Sequence, residues 1–211
     1  MVIRMKILFF GDSVTDAGRS REDLTDLGVG YPKYSAEKIK AAFPEVTFEF
    51  VNRGMSGYRT ENILEVIETH FVAEKPDLTV FLIGVNDTWH HFSHNIETTA
   101  ERFESNLLKI LATFRENGSR IVMMEPFMLP NERFDVMLEE LDEKIRIERR
   151  LAREFADVYV PLHAIFAAEC VKRPWQDFSN DGVHPNASGA EYISNHVLAA
   201  ISPVIKELSE K

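Results

Sequence analysis

Apolar residues are distributed along the chain in two alternating patterns. Five short runs are nearly unbroken: KILFFG (6–11), FEFVNRG (48–54), DLTVFLIG (77–84), RIVMMEP (120–126) and DVYVPL (157–162). Runs of this length bounded by polar segments read as strands buried on both faces. Between and after them, segments near 33–43, 60–74, 97–117, 133–155 and 187–208 carry apolar residues at helical intervals, Phe134, Leu138, Leu141 and Ile145 forming one such stripe. A strand–helix unit repeated five times implies right-handed crossovers and a mainly parallel sheet covered on both faces. The expectation is a three-layer α/β/α sandwich over residues 1–211, a length and an apolar share (45%) that suit one domain with a substantial core.

Composition narrows the partners. With 34 acidic against 24 basic side chains the formal charge is −10, which repels phosphate backbones and anionic headgroups at long range, so neither nucleic acid nor membrane is expected as a partner. Cys170 is the single cysteine, so no disulfide forms within the chain and no cysteine set can hold a structural zinc. The first residues, MVIRMKILFFGDS, contain only about half a dozen apolar side chains before Gly11, fewer than an export signal needs. A cytoplasmic location follows as the expectation. Homo-oligomerisation is left open by the sequence.

Ligands of open α/β sheets gather outside the carboxyl ends of the strands. Here the first strand ends at GDS, the second at NRG and the third at GVND, while DGVHPN (181–186) follows the fifth. Ser13 is placed to expose a hydroxyl at that edge, or simply to cap a helix, as serine commonly does. A serine hydroxyl becomes a useful nucleophile when an imidazole takes its proton and a carboxylate fixes the imidazole's tautomer. His184 and Asp181, three positions apart on a loop closed by Pro185, supply those parts. Acyl transfer also needs donors for the developing oxyanion, each worth on the order of 3 kcal/mol. Gly54 and Asn86, just past the second and third strands, are candidates, although both types also serve turns for conformational reasons. Asp12 and Asp87 read as loop organisers that accept backbone N–H bonds. His90 and His94, at i and i+4 in WHHFSH, could hold a metal if helical, but no acidic or thiol ligand follows at a metal-site spacing and they read as solvated loop histidines.

The blocks GDS (Ser13), NRGMSG (Gly54), GVND (Asn86) and DGVHP (His184), in that order over residues 11–184, resemble the four signature blocks of the SGNH (GDSL-type) hydrolases. The resemblance implies a flavodoxin-like sheet of order 2-1-3-4-5 and a Ser13–His184–Asp181 triad. It also implies an oxyanion hole from the Ser13 and Gly54 N–H groups with Asn86, and no metal or organic cofactor. The first block, GDSVTDAG, lacks the leucine usual after the serine, a change that leaves the nucleophile in place.

GDSVTDAGR, LGVGY, NRGMSG, GVNDTW and EPF are together similar to an intracellular subgroup that removes acetyl groups from xylooligosaccharides. On that likeness the substrate is an acetylated carbohydrate or another small ester, with Tyr31, Trp89 and Trp175 shaping the sugar pocket. The segment FMLPNERFDVML (127–138) would border that pocket or pack against another subunit. The alternatives are a lysophospholipase or thioesterase taking longer acyl chains, and a noncatalytic carbohydrate-binding module. A neutral His184 acting as base predicts activity that rises from acid toward a plateau above the ordinary imidazole pKa of about 6.5.

Overall fold

The computed structural model describes residues 3–210. Five parallel strands, β1 (Ile3–Gly11), β2 (Val46–Gly54), β3 (Leu78–Leu82), β4 (Arg120–Met124) and β5 (Val158–Val160), pair in the order β2-β1-β3-β4-β5. This is the flavodoxin-like order that the four blocks imply. The register aligns the carboxyl ends: Gly11 lies opposite Gly54 and Leu82, Leu82 opposite Met124, and Met124 opposite Val160. The loops that leave these strands therefore start at one level.

Alternation along the buried strands divides the core. Ile7 and Phe9 of β1 face one way, with Val80, Val122 and the apolar stripes of α2 (Tyr31–Ala42) and α8 (Ala187–Ser209). Leu8 and Phe10 face the other way, with Phe81, Met123 and the inner faces of α3 (Thr60–Ile67), α5 (Ala100–Glu116) and α6 (Asp135–Phe155). Period-two alternation on strands and a 3.6-residue stripe on helices produce the three layers directly.

The structure departs from the pattern-based reading at a few places. Helix α3 stops at Ile67 and the chain continues as a π-turn over Glu68–Val72, where an unbroken helix to 74 is expected. Three helices escaped the periodicity: α1 (Ser13–Asp16), a single turn; α4 (Val85–His94), which is mostly polar; and α7 (Leu162–Cys170), which is so uniformly apolar that it has no distinct face. Among the described residues no helix is long and apolar enough to cross a membrane.

Candidate active site

Strand β1 ends at Gly11, and Asp12 caps the single turn of α1, its Oδ1 accepting the Val14 N–H at 3.0 Å. Ser13 is thus the first residue of a helix turn at the sheet edge, and the turn closes at Ala17 in the left-handed region (φ 44°). Far along the chain, the segment from Ser179 to Pro185 is pinned by a short antiparallel bridge between those two residues. Inside it Ser179 Oγ donates to the His184 carbonyl at 2.7 Å and accepts the Gly182 N–H at 2.9 Å. Asp181 Oδ1 accepts the backbone N–H groups of Val183 (2.9 Å) and His184 (2.8 Å).

That loop brings His184 to Ser13 across 171 residues of chain. His184 Nε2 lies 2.9 Å from Ser13 Oγ, and His184 Nδ1 lies 2.6 Å from Asp181 Oδ2. A carboxylate can only accept, so Nδ1 carries the proton and Nε2 presents its lone pair to the serine hydroxyl. Burial would raise the Asp181 pKa, but the His184 ring and the two backbone donors outweigh it and hold the group down at about 2. The carboxylate is therefore ionised over the whole working range.

Ser13 and His184 open on a cavity of about 440 Å³, whose wall includes Val14, Tyr31, Gly57, Asn86 and Trp89. Asn86 stands on the first turn of α4, immediately after β3; its Nδ2 gives one hydrogen to the Tyr58 carbonyl at 3.0 Å and keeps a second for the cavity.

Gly54 requires a correction. Its N–H is spent on Asn52 Oδ1 at 2.8 Å, and its missing side chain makes room for α1: a Cβ there would stand 2.2 Å from the Asp16 backbone N. Close approach is why a glycine is needed, but the approaching group is the protein's own backbone. The glycine of this block that reaches the cavity is Gly57, three residues on, in the left-handed region (φ 80°) with open space where a Cβ would be. Among the described residues nothing accepts its N–H. The second glycine of NRGMSG, after a serine, was the signal available in the sequence.

A family model for the GDSL-like lipase/acylhydrolase family matches residues 9–192, spanning every group just described. The chain belongs to that family. As a carboxylic ester hydrolase it is similar to an acetylxylan esterase of Geobacillus stearothermophilus, 29% identical in an alignment 205 residues long that covers 93% of each chain. An arylesterase of Vibrio mimicus is 24% identical, covering 90% of this chain and 92% of that one. A crystal structure of an acetylxylan esterase from Geobacillus stearothermophilus superposes with a TM-score of 0.85 at 28% identity, covering 94% of this chain and 95% of the other. An α/β hydrolase from the metagenome of Lake Arreo, Spain, reaches a TM-score of 0.88 at 26% identity, with 96% and 97% covered.

The three aromatic residues expected at the hydrolase's pocket separate. Trp89 lies on the cavity wall, its ring 6.3 Å from that of His184 and backed by Phe134 at 5.6 Å. Phe134 and Met128 are buried in one cluster with Val85 and back the Trp89 side of the pocket, while Glu132, Arg133, Asp135 and Val136 of the same segment stay on the surface. Tyr31 touches the cavity but is 1% exposed, its hydroxyl paired with Thr15 Oγ1 at 2.9 Å and its ring edge-on to Phe9, so it is a floor and not a polar contact. Trp175 is not brought to the cavity; it stands on a 3₁₀ turn and packs half-buried against the core beneath α8. The backbone of Phe178, itself buried, donates to the Trp175 carbonyl at 3.0 Å and draws the turn inward.

Asp12 and Asp87 behave as loop organisers. Asp87 receives the Thr60 N–H (3.0 Å) and hydroxyl (2.7 Å), fixing the start of α3 against α4. Complete burial pushes the carboxyls of Asp12 up to about 7 and Asp87 up to about 6, against the bonds they accept. His90 and His94 are not loop residues: both lie on α4 and both line the cavity.

Proposed function

We propose that the hydrolase is a serine esterase that removes O-acetyl groups from xylooligosaccharides through an acetyl-enzyme on Ser13. The observation that carries this reading is the unbroken relay Ser13–His184–Asp181 facing a cavity with donors beside it. Ser13 Oγ attacks the acetyl carbonyl carbon while His184 Nε2 takes the hydroxyl proton, and Asp181 stabilises the imidazolium that results. The oxygen that becomes negative is met by the second Asn86 Nδ2 hydrogen and the Gly57 N–H. It also meets the Ser13 N–H, which as the first of a helix turn has no carbonyl one turn earlier to bond. Collapse of the tetrahedral intermediate breaks the bond to the sugar oxygen, which leaves with the proton from His184. Water, deprotonated by the same imidazole, then adds to the acetyl carbon and releases acetate, returning the proton to Ser13.

Acetyl-sugar preference is supported by the likeness, in sequence and in structure, to the Geobacillus stearothermophilus acetylxylan esterase and by the pocket's make-up. Trp89 offers an indole 6.3 Å from the His184 ring, a surface suited to the apolar face of a pyranose. Val14, Ala17 and Tyr31 line the same cavity as Ser13. The deciding experiment compares acetate release from acetylated xylooligosaccharides with hydrolysis of acetyl and octanoyl p-nitrophenyl esters, for the wild type and Ser13→Ala. Expected are efficient deacetylation, a strong preference for acetyl over octanoyl, and loss of nearly all turnover in the variant. Wild-type turnover in Ser13→Ala refutes the nucleophile; octanoyl preference refutes the acetyl specificity.

A further inference from the structure

Helix α4 carries three histidines that the ester chemistry leaves idle. His91 is turned aside, its Nδ1 2.7 Å from Glu140 Oε2. His90 and His94 are one helical turn apart and therefore project from one face, and that face is the cavity wall. Their ring centroids are 4.9 Å apart with planes inclined at 59°.

The hydrogen bonds around the pair fix which nitrogens are free. Ser93 Oγ donates its single hydrogen to the Trp89 carbonyl at 2.8 Å, so it can only accept from His94 Nδ1, 2.6 Å away. His94 is then the Nδ1–H tautomer with the Nε2 lone pair exposed, an orientation of the kind that outer partners impose on metal-binding histidines. His90 has no side-chain hydrogen-bond partner among the described residues, and its ring stands beside that of His94 on the same cavity wall. Two neutral imidazoles with unshared lone pairs on adjacent turns are ligands for a borderline or soft divalent ion.

We propose that His90 and His94 form a two-histidine site for a divalent transition-metal ion of the zinc, nickel or copper type, and that an ion seated there closes the cavity to substrate. No cluster of three or more His, Cys, Asp or Glu side chains suited to a metal exists among the described residues, so the ion retains water in its other positions and exchanges readily. His184 cannot complete the set without breaking the relay, because Asp181 and Ser13 engage both of its nitrogens. The site is thus an inhibitory one and not part of turnover. Ion binding stands independently of the esterase mechanism; only the closing of the cavity rests on it.

The test titrates metal-free protein with Zn²⁺ by calorimetry and follows p-nitrophenyl acetate hydrolysis over the same concentrations. Wild type, His91→Ala, His90→Gln, His94→Gln and the His90→Gln/His94→Gln double variant are compared, with circular dichroism to verify folding. The wild type and His91→Ala should bind one ion per chain, and each glutamine variant should bind it more than about tenfold more weakly, since a chelate loses its second arm. The inhibition midpoint of each protein should follow its binding constant. Absence of binding in the wild type, or binding undiminished in the double variant, overturns the site. Pair-dependent binding that leaves turnover untouched overturns the closing of the cavity. If the wild type hydrolyses no ester, the calorimetric arm still decides the metal site while the esterase reading alone fails.

Discussion

At the scale of single residues, Asn86 and the two glycines of the second block divide the work between chemistry and folding. On the proposed mechanism, replacing Asn86 by Ala removes an oxyanion donor, and kcat should fall by roughly 10²–10³ with KM little changed, as steady-state kinetics on p-nitrophenyl acetate will show. Gly54→Ala and Gly57→Ala should fail differently. A Cβ on Gly54 meets the Asp16 backbone, which cannot swing aside, so overpacking costs about 1–3 kcal/mol or more and displaces the turn that carries Ser13. A Cβ on Gly57 meets nothing, and only the left-handed backbone opposes it, at about 1–2 kcal/mol. Thermal unfolding of the two variants should rank Gly54→Ala as the less stable; the reverse order contradicts the packing assigned to α1. The sequence pointed to the right motif and the wrong glycine, because a glycine's rarity of side chain says that something comes close, not what. Ser13 and Asn86 were legible for the opposite reason, since they follow strand ends that the sheet itself aligns, and the Asp-x-x-His pair because its carboxylate and imidazole meet within one short loop.

At the scale of elements, α8 and α4 show how caps and neighbours decide what periodicity cannot. Asn186 closes the His184 loop and starts α8, its Oδ1 accepting the Gly189 N–H at 3.0 Å while its own N–H reaches the Phe178 carbonyl at 2.9 Å. Asn186→Ala keeps the backbone bond and loses the side-chain cap, so urea unfolding should show a loss of about 1 kcal/mol. A loss near zero would mean that the cap is not formed in solution. Helix α8 was visible in the sequence because its apolar stripe runs beneath a long polar face. Helix α4 was not, since only Val85, Trp89 and Phe92 mark its period and the rest is polar. What makes it helical is position: it begins directly after Gly84 at the end of β3, with Asp87 bonded to the start of α3 and Val85 and Trp89 packed on Phe134. Those partners are distant in sequence, so local pattern carries no trace of them.

At the scale of the whole molecule, the buried acids behind the site set the dependence of stability on pH. Glu148 is fully buried on α6, with neither carboxyl oxygen bonded among the described residues, and burial with the nearby charges of Glu125, Asp87 and Asp12 raises its pKa well above the ordinary value. The folded chain then holds a proton that the unfolded chain releases above about pH 4.3, so stability is full below that value and declines as pH rises, by up to about 1.4 kcal/mol per pH unit for each retained proton. Asp12 and Asp87 act in the same sense until pH passes about 7 and 6, respectively. Asp181, depressed to about 2, acts oppositely and matters only below the ordinary carboxyl range. Burial lowers the pKa of His70, His90, His163 and His196, which makes stability rise with pH through the imidazole range, so the fall due to the acids should be read by urea unfolding between pH 7 and 8, where Glu148→Gln should flatten the slope; an unchanged slope would show that Glu148 does not carry the proton. By itself the sequence determined the layered fold, the parallel sheet and the edge on which polar chemistry collects, because alternation and helical period are local consequences of which side chains avoid water. The tertiary structure alone decided which glycine of the second block faces the cavity, that Trp89 lines the cavity while Trp175 packs away from it against another core cluster, and that His90 and His94 share a wall with Ser13. Those outcomes depend on close approach between segments far apart in the chain, and steric contact of that kind leaves no period to read.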